Sequence, residues 1–203
     1  MAHCLPDDPN FMGARIAVYP MHDDFAETTL KAVRETNPAD LYVAVDDLGT
    51  TVQGHPDRVF AYTEELFVRA AAAAEHVTAT LLFSTGGKPV DTTTAQPIDP
   101  VPLPEVNFSV AANWALYPLG AGDYSDVIVK AIEDAISRAA VESSVSCYCS
   151  RLDGTAAAIF RTFKAAFMAV RAQVPHTVIH ATLSKGSPSE PKKRIDVYGK
   201  NPS

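Results

Sequence analysis

The chain has 203 residues, 47% of them hydrophobic, and a formal net charge of −7. That content can bury a core, as one large domain or two small ones. The charge has the wrong sign for nucleic acid, no basic stripe offsets it, and no run approaches the ~20 apolar residues of a membrane span.

Met1 to Met12 contains Asp7, Asp8 and two prolines, with neither the basic nor the apolar region of a signal peptide. Three cysteines make no disulfide framework and fit a reducing compartment. A soluble, cytoplasmic protein is expected. Arg15–Tyr19 reads as a strand stopped by Pro20, and Asp24–Glu35 as a helix. Leu41–Val45 and Thr50–Gln53 are short β-type runs around the turn signal Asp46-Asp47-Leu48-Gly49, which predicts a hairpin. Pro56–Glu75 is a second helix, with Phe60, Thr63, Phe67, Ala70, Ala71 and Ala74 on one face. Val77–Ser84 closes the unit as a strand. Residues 13–86 thus read as one βαββαβ repeat, the ferredoxin-like unit. Residues 87–105, rich in Pro and Thr, form a linker.

Residues 106–187 then say nearly the same thing again. Ile16-Ala17-Val18-Tyr19-Pro20-Met21 returns as Trp114-Ala115-Leu116-Tyr117-Pro118-Leu119. Asp24-Phe25 returns as Asp123-Tyr124, Gly54 as Gly154, Val59-Phe60 as Ile159-Phe160 and His76 as His176. Ser84-Thr85-Gly86 has its partner in Ser184-Lys185-Gly186, and the offset drifts only from 98 to 100 residues. A helix shows in Tyr124, Val127, Ile128, Ala131, Ile132, Ala135 and Ile136, spaced i, i+3, i+4, i+7, i+8. A period near 100 exceeds that of a solenoid repeat, about 20–50 residues, so a whole domain has been duplicated. The fold class is α+β: two tandem ferredoxin-like repeats, with antiparallel sheets carrying helices on one face. The exposed sheet faces are expected to cover one another, within the chain or across a dimer. Residues 188–203 form a loose tail, where Lys192-Lys193-Arg194 is a solvated end.

Duplication directs attention to positions kept in both copies. The topology gathers the loop after the first strand, the hairpin and the junction between the second helix and the last strand at one end of each repeat. In the first copy that end carries Tyr19, His22, Asp23, Asp24, Asp46, Asp47, Thr50 and His76. In the second it carries Tyr117, Asp123, Tyr124, Ser150, Arg151 and His176. Structural roles compete for these residues. Asp24 with Glu27 has the capping-box spacing, and Asp123 with Asp126 a weaker version. Tyr19 and Tyr117 precede prolines and suit strand-end packing. Thr50 and Ser150 begin strands where hydroxyls are common. His76 and His176 suit a helix C-terminus. His22 and His180 have no counterpart in the other copy and are not expected to be ligands. Cys147 and Cys149 alternate along a strand and lack metal-site spacing. Small, half-buried side chains are the better reading.

Tyr19-Pro20-Met21-His22-Asp23-Asp24-Phe25, the hairpin from Asp46 to Gly54 and Val59-Phe60 together resemble the YkoF family, as do Tyr117-Pro118-Leu119, Asp123-Tyr124, Leu152-Asp153-Gly154 and Ile159-Phe160. The resemblance runs from about Gly13 to Ser189. It implies a dimer of tandem ferredoxin-like chains that binds thiamin or hydroxymethylpyrimidine, is linked to their uptake or salvage, and does no covalent chemistry. It implies no cofactor, and leaves a transporter partner unnamed. With one potential site per repeat, the expected ligand residues are Tyr19, Asp23, Asp24, Phe25, Asp46 and Thr50, and Tyr117, Asp123, Tyr124 and Ser150. The carboxylate of Asp24 or Asp123 suits a thiazolium charge or an exocyclic amine. The aromatic faces suit stacking, and the hydroxyls of Thr50 and Ser150 suit a pyrimidine nitrogen. The second copy has one carboxylate fewer in its first loop, so the first is expected to bind tighter. Two rival readings remain: a sensor of another small molecule on this fold, and an enzyme acting on a pyrimidine-type substrate, which would need a denser catalytic set.

Overall fold

The computed structural model describes residues 10–87, 95–120, 122–146, 148–174 and 176–188. The segment before residue 10, Cys147, linker residues 88–94 and the tail from 189 with its basic run lie outside the described residues. The first repeat comprises β1 (Met12–Pro20), α1 (Phe25–Glu35), β2 (Tyr42–Asp46), β3 (Gly49–Gly54), α2 (Pro56–Ala72) and β4 (Val77–Ser84). The second comprises β5 (Val110–Leu119), α3 (Ser125–Ser137), β6 (Val141–Ser146), β7 (Cys149–Gly154), α4 (Ala156–Arg171) and β8 (His176–Lys185). Helix α2 stops at Ala72 rather than Glu75, because the chain must turn there to enter β4. The His76 carbonyl then accepts from the Met21 amide at 2.9 Å, closing the loop end of the repeat.

The two copies share one eight-stranded antiparallel sheet, ordered β2-β3-β1-β4-β8-β5-β7-β6. The expectation of two separate sheets is corrected at the seam, where β4 pairs with β8 from Val77↔Lys185 to Ser84↔Val178. Each of those strands would otherwise be a bare sheet edge, a row of unsatisfied backbone groups. Leu81 pairs with Ala181, its own counterpart 100 residues on, so a pseudo-twofold axis crosses the sheet there. Joined edge to edge, the two open faces point the same way and cannot cover each other within the chain.

Alternation along the strands sorts the two faces. Ile16, Val18, Val52, Ala79, Leu81, Phe83, Trp114, Leu116, Ile179, Ala181 and Leu183 face the helices and are buried. The core is continuous across the seam. Phe60 stacks on Phe83 with ring centroids 4.4 Å apart. Phe60 meets Phe167 at 5.7 Å, and their counterparts Phe160 and Phe67 meet at 6.3 Å, a reciprocal contact between α2 and α4. Asp57 and Lys164 add an ion pair at 2.8 Å between the same helices.

Several repeat-kept residues prove to build this seam. Ser84 Oγ lies 3.3 Å from His176 Nε2, and Ser184 Oγ lies 3.5 Å from His76 Nε2. The Thr177 amide donates to Thr85 Oγ1 at 2.9 Å, and Lys185 Nζ donates to the Ala74 carbonyl at 2.6 Å. A Cβ at Gly86 would collide with the His176 ring, and one at Gly186, where φ is +69°, with the Glu75 carbonyl. The kept histidines therefore face the opposite repeat's serines. Repetition here records a symmetric joint as much as a repeated site.

Candidate functional site

The β1–α1 loop, the β2–β3 hairpin and the α2–β4 junction do meet at one end of the first repeat. The seam runs antiparallel, so the matching end of the second repeat lies at the opposite end of the sheet. Within each end the expected residues divide between two faces. Thr50 pairs with Ile16 and Val45 and points to the helix side, where it is 3% exposed. Ser150 pairs with Trp114 and Val145 and occupies the same side. Tyr19 and Tyr117, each 46% exposed, stand on the open face instead. The signal was present: Thr50 alternates in step with buried Val52, and Tyr19 is out of step with Ile16 and Val18.

On the helix side, α1 packs on β1 and α2, while Val43 of β2 is only partly buried against the core. Val45 faces the helix layer yet is 49% exposed, and its counterpart Val145 is 93% exposed. Val45 and buried Thr50 are thus cross-strand neighbours at the margin of the helix layer. The loop carrying Asp23, Asp24 and Phe25 lies at the same end of the repeat. Asp24 occupies the N-cap position of α1, but its side chain makes no capping hydrogen bond. Instead, the Asp24 amide donates to His22 Nδ1 at 3.2 Å, and His22 Nε2 lies 3.1 Å from Thr28 Oγ1. The Asp23 carboxylate is exposed, as is the Phe25 ring (57%).

The matching end of the second repeat is built differently. Asp123 Oδ1 accepts from both the Ser125 hydroxyl, at 2.7 Å, and the Ser125 amide, at 3.1 Å. Those bonds hold its carboxyl below the usual carboxylate range. Tyr124 is half-buried against the core. Beside Ser150 in the sheet, the Trp114 indole N–H is buried with no hydrogen-bond partner among the described residues. Sequence reasoning missed Trp114, and missed the Val45/Val145 pair although it is kept at an offset of 100.

Asp46 belongs to the open face and to the hairpin itself. Its Oδ1 accepts from Arg15 Nη2 at 2.6 Å, from the Leu48 amide at 2.9 Å and from the Gly49 amide at 3.1 Å. The Arg15 guanidinium, helped by those amides, holds the Asp46 carboxyl below its ordinary range. The Leu48 end of this hairpin overhangs a shallow concavity of about 140 Å³ lined by Arg15, Tyr19, Thr80, Leu82 and His180. On the four central strands Arg15 is the one permanently charged open-face side chain, and Asp46 neutralises it. Toward the far edge Arg151 is closed by a bidentate pair with Asp153, at 2.8 and 2.7 Å. Cys149 is half-buried at the start of β7. No cluster of three or more metal-ligating side chains occurs among the described residues, and none of the described helices is long and apolar enough to cross a membrane.

The fold and its pseudo-symmetric ends define a duplicated ferredoxin-like protein. A family model, the YKOF-related family, matches residues 11–90 and again 109–190. The chain belongs to that family. A Bacillus subtilis (strain 168) relative, named "Putative HMP/thiamine-binding protein YkoF", is 27% identical over 188 residues, spanning 90% of this chain and 94% of its own. Among solved structures, the hypothetical protein MJ1052 of Methanocaldococcus jannascii aligns with 44% of this chain and 90% of its own, at 20% identity and a TM-score of 0.36. A domain of unknown function, DUF77, from Bacillus cereus aligns with 44% of this chain and 84% of its own, at 13% identity and a TM-score of 0.34.

Proposed function

We propose that this protein binds thiamin or its hydroxymethylpyrimidine moiety without covalent chemistry, at the loop end of each repeat, and serves uptake or salvage of the vitamin in the cytoplasm. The observation that carries the reading is the relationship to a protein named for that binding, over 90% of the chain. The chemistry of those ends supports it. In the first, the Asp24 carboxylate is not consumed by the helix cap. It is available to the exocyclic amine of an aminopyrimidine or to a thiazolium charge. Phe25 offers an exposed ring for stacking, and the Thr50 hydroxyl offers a donor to a ring nitrogen. In the second, the Trp114 N–H and Ser150 offer donors, while Asp123 is committed to Ser125. The first end is the tighter site.

In this reading the protein acts as a homodimer through the open face. Eight strands about 4.8 Å apart and roughly 20 Å long present on the order of 750 Å², close to the ~800 Å² per partner of a standard interface. That face carries small and hydroxyl side chains and internally neutralised arginines, which suits close approach of a second sheet.

Calorimetric titration with thiamin and, separately, hydroxymethylpyrimidine tests the reading. Micromolar or tighter binding with two unequal sites per chain is expected. No heat with either ligand, or recovery of chemically altered ligand, would overturn it.

A further inference from the structure

We infer that the charges on α2 and α4 form a pairing rule: they admit a first-type repeat only beside a second-type repeat, and bar two like repeats from sharing a sheet through β4 or β8. The seam itself does not discriminate. Its register is centred on Leu81 and Ala181, which are counterparts. The ring contacts Phe60–Phe167 and Phe160–Phe67 are reciprocal, as are the contacts Ser84–His176 and Ser184–His76. Two first repeats from different chains could therefore reproduce all of these, with β4 on β4, Phe60 on Phe67 and Ser84 on His76. A bare strand edge invites that exchange, and the N-terminal repeat leaves the ribosome before the strand that covers its edge.

The helix surfaces do discriminate. Asp57, Ala61 and Glu64 of α2 have Ala157, Arg161 and Lys164 of α4 as their counterparts. In the folded chain Asp57 meets Lys164 at 2.8 Å, and half-buried Glu64 lies in the field of Arg161. Carried through the pseudo-twofold axis, those two contacts state what each wrong pairing would bring together. Two first repeats would set Asp57 of one copy against Glu64 of the other, twice by symmetry. Two second repeats would set Arg161 of one copy against Lys164 of the other, again twice. Like repeats thus oppose equal charges, and only unlike repeats oppose opposite ones. Glu64 fits this account. Burial makes its charge costly even here, where Arg161 offsets part of that cost. Beside another first repeat it would lose the arginine and gain an aspartate.

Thermal melting of full-length variants decides this, without any ligand. One variant gives α4 the residues of α2: Ala157→Asp, Arg161→Ala and Lys164→Glu. A second gives α2 the residues of α4: Asp57→Ala, Ala61→Arg and Glu64→Lys. A third carries both sets. Each of the first two rebuilds a like pairing inside one chain and should melt about 3–6 °C below wild type, the scale of a few surface charge pairs. The third restores opposite charges and should regain most of that loss, although it carries more substitutions than either. In 1 M salt, where the screening length falls to about 3 Å, the gap should close. Losses that simply add in the third variant, or three variants that melt with wild type, would overturn the inference. Should a like-charged chain fail to fold, Lys164→Glu with and without Asp57→Lys makes the same comparison on one pair: rescue by the second substitution supports the rule, and a further loss overturns it.

Discussion

Phe83→Ala should destabilise the second repeat as much as the first, although Phe83 belongs only to the first. Phe83 is fully buried on β4, opposite Ile179 of β8, and its ring stacks on Phe60. Phe60 in turn meets Phe167 of α4, so the cavity opens onto both repeats. Truncating a buried phenylalanine costs about 3–5 kcal/mol, transfer and cavity together. With a urea m-value of about 3 kcal/mol/M, the midpoint should fall by roughly 1–1.7 M. The chain's one tryptophan, Trp114, is buried in the second repeat and reports on it alone by fluorescence, while circular dichroism reports on both. The two curves should coincide in wild type and shift together in the variant. A fluorescence transition that stays put while the dichroism curve splits in two would refute the single shared core.

Other outcomes follow from individual contacts. The Asp46 carboxyl titrates below its unfolded value, so its contribution is present at neutral pH and is lost as pH falls through the folded value. Asp46→Asn should flatten the acid limb of the stability curve, measured by melts between pH 7 and pH 3. Burial raises the Glu64 carboxyl, partly offset by Arg161. Its charged form is thus disfavoured in the folded state, and Glu64→Gln should raise the melting temperature at pH 7; a clear fall would contradict that. Leu82→Asp, on the exposed face of β4, should yield a folded monomer in analytical ultracentrifugation if the open face joins two chains. An unchanged sedimentation coefficient would move the dimer contact elsewhere.

The order of elements was legible because each rests on local chemistry: the 3.6-residue apolar spacing of α3, the hairpin turn at Asp46–Gly49, the alternation along β1. The candidate residues were legible only in part. Their arrival at one end of each repeat followed from the topology. Their faces were written in the strand alternation, Thr50 in step with Val52 and Tyr19 out of step with Ile16 and Val18, a signal passed over when both were read as strand-end polar groups. Asp24 carried a capping-box spacing, yet its carboxylate makes no capping bond, and its own amide donates to His22 instead. Spacing names the groups able to fill a role. Only the loop's conformation decides which one does.

By itself, the sequence determined that a βαββαβ unit was duplicated, that the chain resembles one family, and that the two copies differ in their first loop. These are properties of composition, period and local propensity. The tertiary structure alone decided that β4 meets β8 and fuses two sheets into one. It likewise decided that His76 and His176 serve the seam, and that one face of eight strands stays open. Strand alternation states which side chains are buried but never which edge will be the neighbour. That choice is made by long-range backbone pairing and by the phenylalanines that pack behind it.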